Sequence, residues 1–170
     1  MGRMLFTREE VEGTVRALAQ KIVAKHRGER LLVIGVLKGS WIFMADLVRF
    51  MEMEIFCDFV RVASYTDKTE TSGKVCLLYW PDLDFGNERV LVVDDIADTG
   101  LTLAFLRKKF LDVGATTVEF CVLLDKPSRR KVDFTPDYVG FTIPDEFVVG
   151  YGMDCGERYR NLPHIEVCQG

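Results

Sequence analysis

The sequence has 170 residues, of which 48% are hydrophobic, and this supplies one sizeable core but hardly two. We therefore expect a single domain over residues 1–170. The formal net charge of -4, from 22 lysines and arginines against 26 aspartates and glutamates, excludes a protein that binds nucleic acid through bulk positive charge. If this chain binds phosphate groups, it must use backbone amides, a few well-placed cations or a metal ion.

The cysteines and the N-terminal segment predict a cytoplasmic protein. The five cysteines are widely spaced and include no C-x-x-C pair, as expected for reduced thiols rather than for a zinc site or a redox centre. Residues 1–10 hold no apolar stretch of signal-peptide length, and no later apolar run approaches the about 20 residues that cross a membrane. We expect neither a membrane nor a nucleic-acid partner.

The first 51 residues predict a helix, a buried strand and a second helix. Thr7 and Glu10 have the spacing of a capping box that starts a helix, and Gly28 is placed to stop it. Residues 31–37 form the continuous apolar run that is typical of a buried strand. A helical pattern then resumes over residues 41–51.

Two strands, over residues 56–63 and 74–80, flank a long polar joint over residues 64–73. A joint of this length and composition is often a functional loop and about as often an inert surface excursion. Both interpretations are open from the residues alone.

The rest of the chain continues the alternation of strands and helices. Strands are predicted over residues 90–93, 117–124, 138–141 and 147–150, and a helix after the first of them ends near Gly114. This alternation predicts the α/β class, with a mostly parallel twisted sheet and helices on both of its faces.

Three carboxylates, Asp94, Asp95 and Asp98, follow the strand at residues 90–93. The carboxyl ends of strands are where open α/β sheets bind ligands. Carboxylates beside a phosphate site make sense when a divalent cation bridges the two, since Mg²⁺ prefers hard oxygen ligands. The alternative from chemistry alone is a strand end with solvated aspartates.

A helix start directly follows these carboxylates. Thr99, Gly100 and Thr102 open the helix, so that unpaired backbone amides, the helix dipole and two hydroxyls converge on one place. Such a place suits a phosphate monoester. An ordinary threonine cap is the alternative.

Residues 90–102, VLVVDDIADTGLT, resemble the phosphoribosyl-diphosphate (PRPP) motif of the type I phosphoribosyltransferases. Further segments resemble the hypoxanthine-guanine branch of that family, in order along the chain: residues 35–40, 63–65 and 139–151, with Asp154 and Arg160 beyond them. The resemblance is to its bacterial-type members. It implies the type I fold, in which the chain ends form a small hood region beside the sheet.

The same resemblance implies an activity in purine salvage. The expected reaction is the Mg²⁺-dependent transfer of the 5-phosphoribosyl group from PRPP to N9 of hypoxanthine or guanine, which gives IMP or GMP and diphosphate. The implied partners are PRPP and a 6-oxopurine base, and the implied assembly is a homodimer or homotetramer. A transferase for xanthine or another base, and a PRPP-binding regulatory protein, are the alternatives.

The resemblance also implies a role for particular residues, with Asp98 as the group that exchanges a proton with N7 of the purine. The residues implied for the 5′-phosphate and ribose are Asp94, Asp95, Ile96, Asp98, Thr99, Gly100, Leu101 and Thr102. Those implied for diphosphate are Lys38, Gly39 and Arg160, with a cis peptide bond in the loop that carries the first two. Those implied for the purine are Ile96, Lys126, Phe147, Val148 and Asp154, and those implied for Mg²⁺ are Asp94, Asp95 and Asp154. Ser64 and Tyr65 are expected in a flexible loop that closes over the site.

One further basic segment, residues 129–131, has no role by pattern or by resemblance. We interpret it as a solvated basic loop.

Overall fold

Nine strands and three helices occupy the described part of the chain, which in this computed structural model comprises residues 2–65 and 74–168. The strands are β1 (Met4–Phe6), β2 (Leu31–Leu37), β3 (Ile55–Tyr65), β4 (Lys74–Tyr79), β5 (Arg89–Ala97), β6 (Thr117–Asp125), β7 (Tyr138–Thr142), β8 (Val148–Val149) and β9 (Ile165–Val167). The helices are α1 (Arg8–Lys25), α2 (Trp41–Arg49) and α3 (Leu101–Asp112), and a 3-10 turn spans Pro127–Arg129.

The central sheet has six strands in the order β4-β3-β2-β5-β6-β7. Neighbouring strands are parallel except for β4, which is antiparallel to β3. The pair β2 and β5 is the topological switch point of the sheet. From β2 the chain continues to β3 on one side of the pair, and from β5 it continues to β6 on the other. In open α/β sheets the crevice at the carboxyl ends of two such strands is the usual ligand site. The predicted α/β class with a mostly parallel sheet is confirmed.

Helices cover both faces of this sheet and divide the core in two. Leu31 and Val33 of β2 pack in the cluster that contains the apolar sides of α1 and α2. Leu32 and Ile34 point the other way and pack in the cluster that contains the apolar side of α3. Strands that are buried on both faces read as continuous apolar runs, which is why β2 has the bounds that the sequence predicts.

The start of α1 forms the predicted capping box. The backbone N–H of Glu10 donates to Oγ1 of Thr7 at 3.2 Å, and the backbone N–H of Thr7 donates to Oε2 of Glu10 at 2.8 Å. Two amides that the helix itself leaves unpaired are thereby satisfied. None of the helices in residues 2–65 and 74–168 is both long enough and apolar enough to cross a membrane.

The two ends of the chain form a second sheet, in the order β1-β9-β8, which corresponds to the expected hood. Its strands are antiparallel. The ring of Phe6 in β1 stacks on Phe141 of β7 with centroids 3.8 Å apart, so the hood packs against the edge of the central sheet. The sequence predicted neither β1 nor β9, because each has only three residues and pairs with a strand at the opposite end of the chain.

Two strands extend further than predicted. The pairing of β5 with β6 continues through Ala97, so Asp94 and Asp95 lie within the strand rather than after it. The pairing of β3 with β4 likewise continues to Tyr65. In both places a neighbouring strand keeps satisfying the backbone amides after the apolar pattern has ended. Of the predicted joint, residues 66–73 lie outside the described residues, and the single domain over residues 1–170 stays a prediction.

Candidate active site

The turn from β5 into α3 is built around Gly100. This residue has φ of +81°, in the left-handed region that favours glycine, and it is the N-cap of α3. A Cβ atom added there would meet three side chains at 3.2 Å, so these neighbours would have to shift by a few tenths of an ångström to admit one. The N-cap Gly100 has no side chain to cap α3, and Oγ1 of Thr99 accepts only from the backbone N–H of Leu101, at 3.4 Å, which leaves the other amides of the first turn available to an anion.

Asp94 and Asp95 lie next to each other at the carboxyl end of β5. The backbone N–H of Asp95 donates to Oδ1 of Asp94 at 2.9 Å, and that of Ile96 donates to Oδ1 of Asp95 at 2.8 Å. Burial, together with the charge of Asp95, raises the pKa of Asp94 well above its usual value, and burial also raises the pKa of Asp95. Buried carboxylates are costly without a cation, so this pair is suited to receive one.

The loop after β2 lies directly against this carboxylate pair. A Cβ atom on Gly39 would lie 1.7 Å from Oδ2 of Asp95, so only glycine fits at this position. The hood closes the other side, where a Cβ atom on Gly152 would lie 2.1 Å from the carbonyl oxygen of Gly39. The peptide bond between Leu37 and Lys38 is cis, as the family resemblance implies. The loop after β2, the carboxyl end of β5 and the hood therefore meet at one point.

Lys38 and Arg160, which are 122 positions apart in the sequence and were both implied for diphosphate, meet at the side of this junction. Nζ of Lys38 donates to both carboxylate oxygens of Glu157 at 3.0 Å. Nη2 of Arg160 lies 2.7 Å from Oδ1 of Asp154 and 3.3 Å from Oε2 of Glu157. The structure thus brings the two predicted cations together around a third residue, Glu157, that the sequence did not point to.

Arg160 also has a donor without an acceptor. Its Nε is buried and makes no hydrogen bond with any of the described residues, whereas its Nη1 donates to the carbonyl oxygen of Gly152 at 2.8 Å. A buried N–H without a partner is uncommon in folded proteins and points to a missing acceptor. An anionic ligand at this place would provide one.

Asp98 lies in a row of alternating charges. Nε of Arg129 donates to Oδ1 of Asp98 at 3.1 Å, and Nη1 of Arg129 donates to Oδ2 of Asp145 at 3.4 Å. Nζ of Lys126 lies 3.8 Å from Oδ1 of Asp145. The hydrogen bond with Asp98, then the charges of Asp98 and Asp145, raise the pKa of Arg129, which keeps it cationic. This row connects the predicted proton-transfer group to the predicted purine-reading lysine.

Arg130 corrects the interpretation of residues 129–131 as a solvated loop. Its guanidinium donates to the carbonyl oxygens of Ala97 and Asp98 and pairs with the carboxylate of Asp125. The side chains of Arg130 and Asp125 are only 14% and 12% exposed. Arg130 therefore holds the backbone of the turn after β5 through these hydrogen bonds. Of residues 129–131, only Arg129 and Lys131 are exposed.

The residues implied for the purine differ in exposure. Lys126 follows β6 and is buried, while Val148 is buried in β8 of the hood and Ile96 is half-buried in β5. The ring of Phe147 is 59% exposed, although an aromatic residue in an apolar segment is more often part of the core. Its face is thus free to stack on a planar ligand.

The structure brings together only two of the three residues implied for Mg²⁺. Asp94 and Asp95 lie together, whereas Asp154 pairs with Arg160, and the described residues contain no group of three or more His, Cys, Asp or Glu side chains that could hold a metal ion. Magnesium is usually bound by one or two carboxylates together with substrate phosphates and water, rather than by a cage of protein ligands. The buried Asp94 and the half-buried Asp95 at the end of β5 fit such an ion.

Ser64 and Tyr65 end β3 at the edge of the described part of the chain.

The sequence did not reveal four residues of the site: Glu157, Arg129, Arg130 and Asp145. Each lies beside another charged residue, as Arg129 and Arg130 do in the run 129–131, and the only signal in the sequence was this local density of charge.

The chain is similar to known proteins over nearly its whole length. Residues 3–155 match the family described as a phosphoribosyl transferase domain. A hypoxanthine-guanine phosphoribosyltransferase from Aquifex aeolicus is 42% identical over 164 residues, which are 96% of this chain and 92% of that protein. A protein of the same name from Bacillus subtilis is 42% identical over 165 residues, which are 97% of this chain and 92% of that protein. The crystal structure of a hypoxanthine-guanine phosphoribosyltransferase from Bacillus anthracis is 49% identical, with a TM-score of 0.93 over 98% of each chain.

Proposed function

The chain belongs to the phosphoribosyl transferase domain family, and we propose that it transfers the 5-phosphoribosyl group of PRPP to N9 of hypoxanthine or guanine. The products are IMP or GMP and diphosphate, and the reaction serves purine salvage. The observation that carries the proposal is the contact of Gly39 with Asp95, because it joins the loop after β2 to the carboxylates of β5. The chain also provides the N-terminus of α3, the carboxylates of Asp94 and Asp95 and two cations, which together suit a sugar that bears a phosphate and a diphosphate.

The 5′-phosphate of PRPP is proposed to bind in the turn formed by residues 98–102. The amides at the start of α3, its helix dipole and the hydroxyls of Thr99 and Thr102 all suit a phosphate monoester, which would replace the long hydrogen bond of 3.4 Å between the N–H of Leu101 and Oγ1 of Thr99. Leu101 contributes through its backbone. The diphosphate is proposed to bind to Lys38, Gly39 and Arg160, where the unpaired Nε of Arg160 supports an anion.

The ribose hydroxyls are proposed to lie against Asp94 and Asp95. These carboxylates, with Asp154, are the residues that would hold Mg²⁺ together with oxygens of PRPP. When bound, the ion neutralises charge on the departing diphosphate. The position of the buried Asp94 beside the half-buried Asp95 supports this assignment, since burial raises the pKa of both carboxyls and a cation would stabilise them as anions.

In the proposed reaction, N9 of the base bonds to the anomeric carbon as the bond from that carbon to the diphosphate oxygen breaks. The bonding electron pair leaves with the diphosphate, and the proton on N7 of the base passes to a carboxylate oxygen of Asp98. Asp98 is supported in this role by its place at the end of β5 and by Arg129, which holds one of its oxygens. Arg130 fixes the backbone on which Asp98 stands.

The base is proposed to lie between the exposed ring of Phe147 and Ile96, with its edge near the backbone of Val148 and near Asp154. Lys126 donates to O6. A 6-oxopurine accepts at this position, whereas adenine presents an amino group there and would place two donors against each other. Ser64 and Tyr65 are proposed to belong to a loop that excludes water during turnover.

One assay tests this proposal and its alternatives. The protein is incubated with PRPP, Mg²⁺ and each of hypoxanthine, guanine, xanthine and adenine, and formation of the nucleotide is followed. We expect turnover with hypoxanthine or guanine, little with adenine, and loss of turnover when EDTA removes the metal. Turnover with xanthine alone would support the alternative substrate, and PRPP binding without turnover of any base would support a regulatory protein.

We also propose a homodimer or homotetramer in the cytoplasm, without nucleic-acid or membrane partners. The net charge of -4 supports the absence of a nucleic-acid partner. The location is supported by the cysteines at positions 57, 76, 121, 155 and 168, which form no disulfide in the described part of the chain. Light scattering on a sizing column would measure the assembly, and a monomer at micromolar concentration would contradict it.

A further inference from the structure

Glu157 lies between the two cations that the proposed function assigns to diphosphate. Its carboxylate accepts from Nζ of Lys38 at 3.0 Å through each oxygen, and its Oε2 lies 3.3 Å from Nη2 of Arg160. The side chain is 65% exposed, so no packing forces it into this place. The two charges are what hold it there.

The backbone aims Glu157 at these cations. Its N–H donates to Oδ2 of Asp154 at 2.8 Å, and its φ is +65°, in the left-handed region. This tight turn carries the side chain from the hood back across to the loop after β2. The hydrogen bond with Lys38, then that with Arg160, lowers the pKa of Glu157, which is therefore an anion at neutral pH.

Arg160 does not depend on Glu157 for its position. It is held by Oδ1 of Asp154 at 2.7 Å and by the carbonyl oxygen of Gly152 at 2.8 Å. Among the described residues, Lys38 has Glu157 as its only carboxylate partner. Removal of the charge on Glu157 thus leaves one cation in place and frees the other.

We propose that Glu157 is an internal counter-charge, which occupies the diphosphate-binding cations of the empty site and is displaced when the diphosphate group of PRPP binds. The inference rests on the proposed function, because it takes Lys38 and Arg160 as the diphosphate cations. Each oxygen of the carboxylate stands in for a diphosphate oxygen. PRPP must displace this carboxylate and therefore binds more weakly than it would if Lys38 and Arg160 had no counter-charge. The carboxylate of Glu157 pairs with both cations again as the product diphosphate leaves.

The test is the affinity for magnesium diphosphate of the wild-type chain and of Glu157→Gln, measured by isothermal titration calorimetry. Asp112→Asn is the matched control, since Asp112 pairs with Lys108 at 2.9 Å, is similarly exposed at 56%, and lies at the end of α3. Glu157→Asn is a second neutral variant that tolerates the positive φ. We expect both Glu157 variants to bind magnesium diphosphate roughly two- to fivefold more tightly, the range expected for exposed ion pairs, and the control to match the wild type.

A steady-state readout separates this role from a structural one. The KM for PRPP should fall in Glu157→Gln while the KM for hypoxanthine stays unchanged, which a general loss of structure would not produce. Equal or weaker diphosphate affinity in both Glu157 variants, with normal binding by the wild type, would overturn the inference and leave the proposed function standing. Failure of the wild-type chain itself to bind magnesium diphosphate would overturn both.

Discussion

Gly39 lies so close to Asp95 that a Cβ atom on the glycine would be 1.7 Å from the carboxylate oxygen Oδ2. The contact joins the loop after β2 to the end of β5, which are the two strands at which the chain order of the sheet reverses. The loop proposed for diphosphate and the carboxylate proposed for ribose can therefore serve the same small substrate.

Gly39→Ala should displace either this loop or Asp95. Because the conflict is with a half-buried carboxylate that is proposed to bind the substrate, we expect the KM for PRPP to rise by at least about tenfold, a loss of about 1.4 kcal/mol or more. The measurement is steady-state kinetics with PRPP varied at saturating hypoxanthine.

Gly13→Ala is the matched control for that change. Gly13 lies on the exposed side of α1, and a Cβ atom there would meet nothing within 4 Å. Alanine should stabilise the helix by about 0.5–1 kcal/mol and leave the KM for PRPP unchanged. A rise in KM of the same size in both variants would show that the effect is not specific to Gly39.

Arg130→Gln should destabilise the fold more than Arg129→Gln does. Arg130 and Asp125 are both nearly buried, and loss of the guanidinium leaves a carboxylate without a partner. We expect a loss of about 3 kcal/mol in the free energy of unfolding, against about 1 kcal/mol or less for Arg129, whose side chain is 45% exposed. Urea denaturation of the two variants makes the comparison, and equal losses would argue against a supporting role for Arg130.

Glu119 should make the free energy of unfolding decrease as the pH falls into the acid range. Burial alone would raise the pKa of Glu119, but hydrogen bonds from Lys25, Tyr138 and His26 together lower it. A carboxylate whose pKa is lower in the folded state stabilises the fold above its unfolded pKa, and this stabilisation is lost as the pH falls through the folded pKa.

Glu119→Gln should therefore be less stable than the wild type at pH 7, with a difference that shrinks as the pH falls below 4.5, the ordinary pKa of a glutamate. Urea denaturation at several pH values measures this difference. Glu12→Gln, which breaks an exposed pair with Arg16, serves as control and should show little difference at any pH. A difference that stays constant with pH would contradict the assignment.

Lys126→Gln should weaken discrimination between bases rather than abolish turnover. The ammonium group favours an acceptor at O6, whereas an amide can both donate and accept. We expect the ratio of kcat/KM for hypoxanthine to that for adenine to fall by about tenfold or more. An unaltered ratio would remove Lys126 from the purine site.

The sequence predicted those parts of the fold that local patterns determine. The apolar run of β2 and the capping box of Thr7 and Glu10 are local, and both are present as predicted. The three-residue strands β1 and β9 have no periodicity long enough to detect, and they form through pairing with other segments, β1 with β9 and β9 also with β8. The extra length of β5 arises from pairing with β6, which no single segment shows.

The residues of the candidate site likewise include some that a local pattern reveals and some that only long-range contacts reveal. Asp94, Asp95, Asp98 and Gly100 lie in one continuous segment, whose resemblance to a known motif made them visible in the sequence. Glu157 and Arg130 acquire their significance from partners far along the chain, such as Lys38 and Ala97. Only the folded chain brings these groups together.

The most direct test of the account is Asp98→Asn, measured both as turnover with hypoxanthine and as the Kd for PRPP. Proton transfer to Asp98 is needed only along the reaction, whereas the other residues proposed to bind PRPP, and the backbone of the turn at residues 98–102, are unchanged in this variant. We predict that kcat falls by about 10²-fold to 10⁴-fold while the Kd for PRPP stays within about twofold. Turnover equal to that of the wild type would contradict the account.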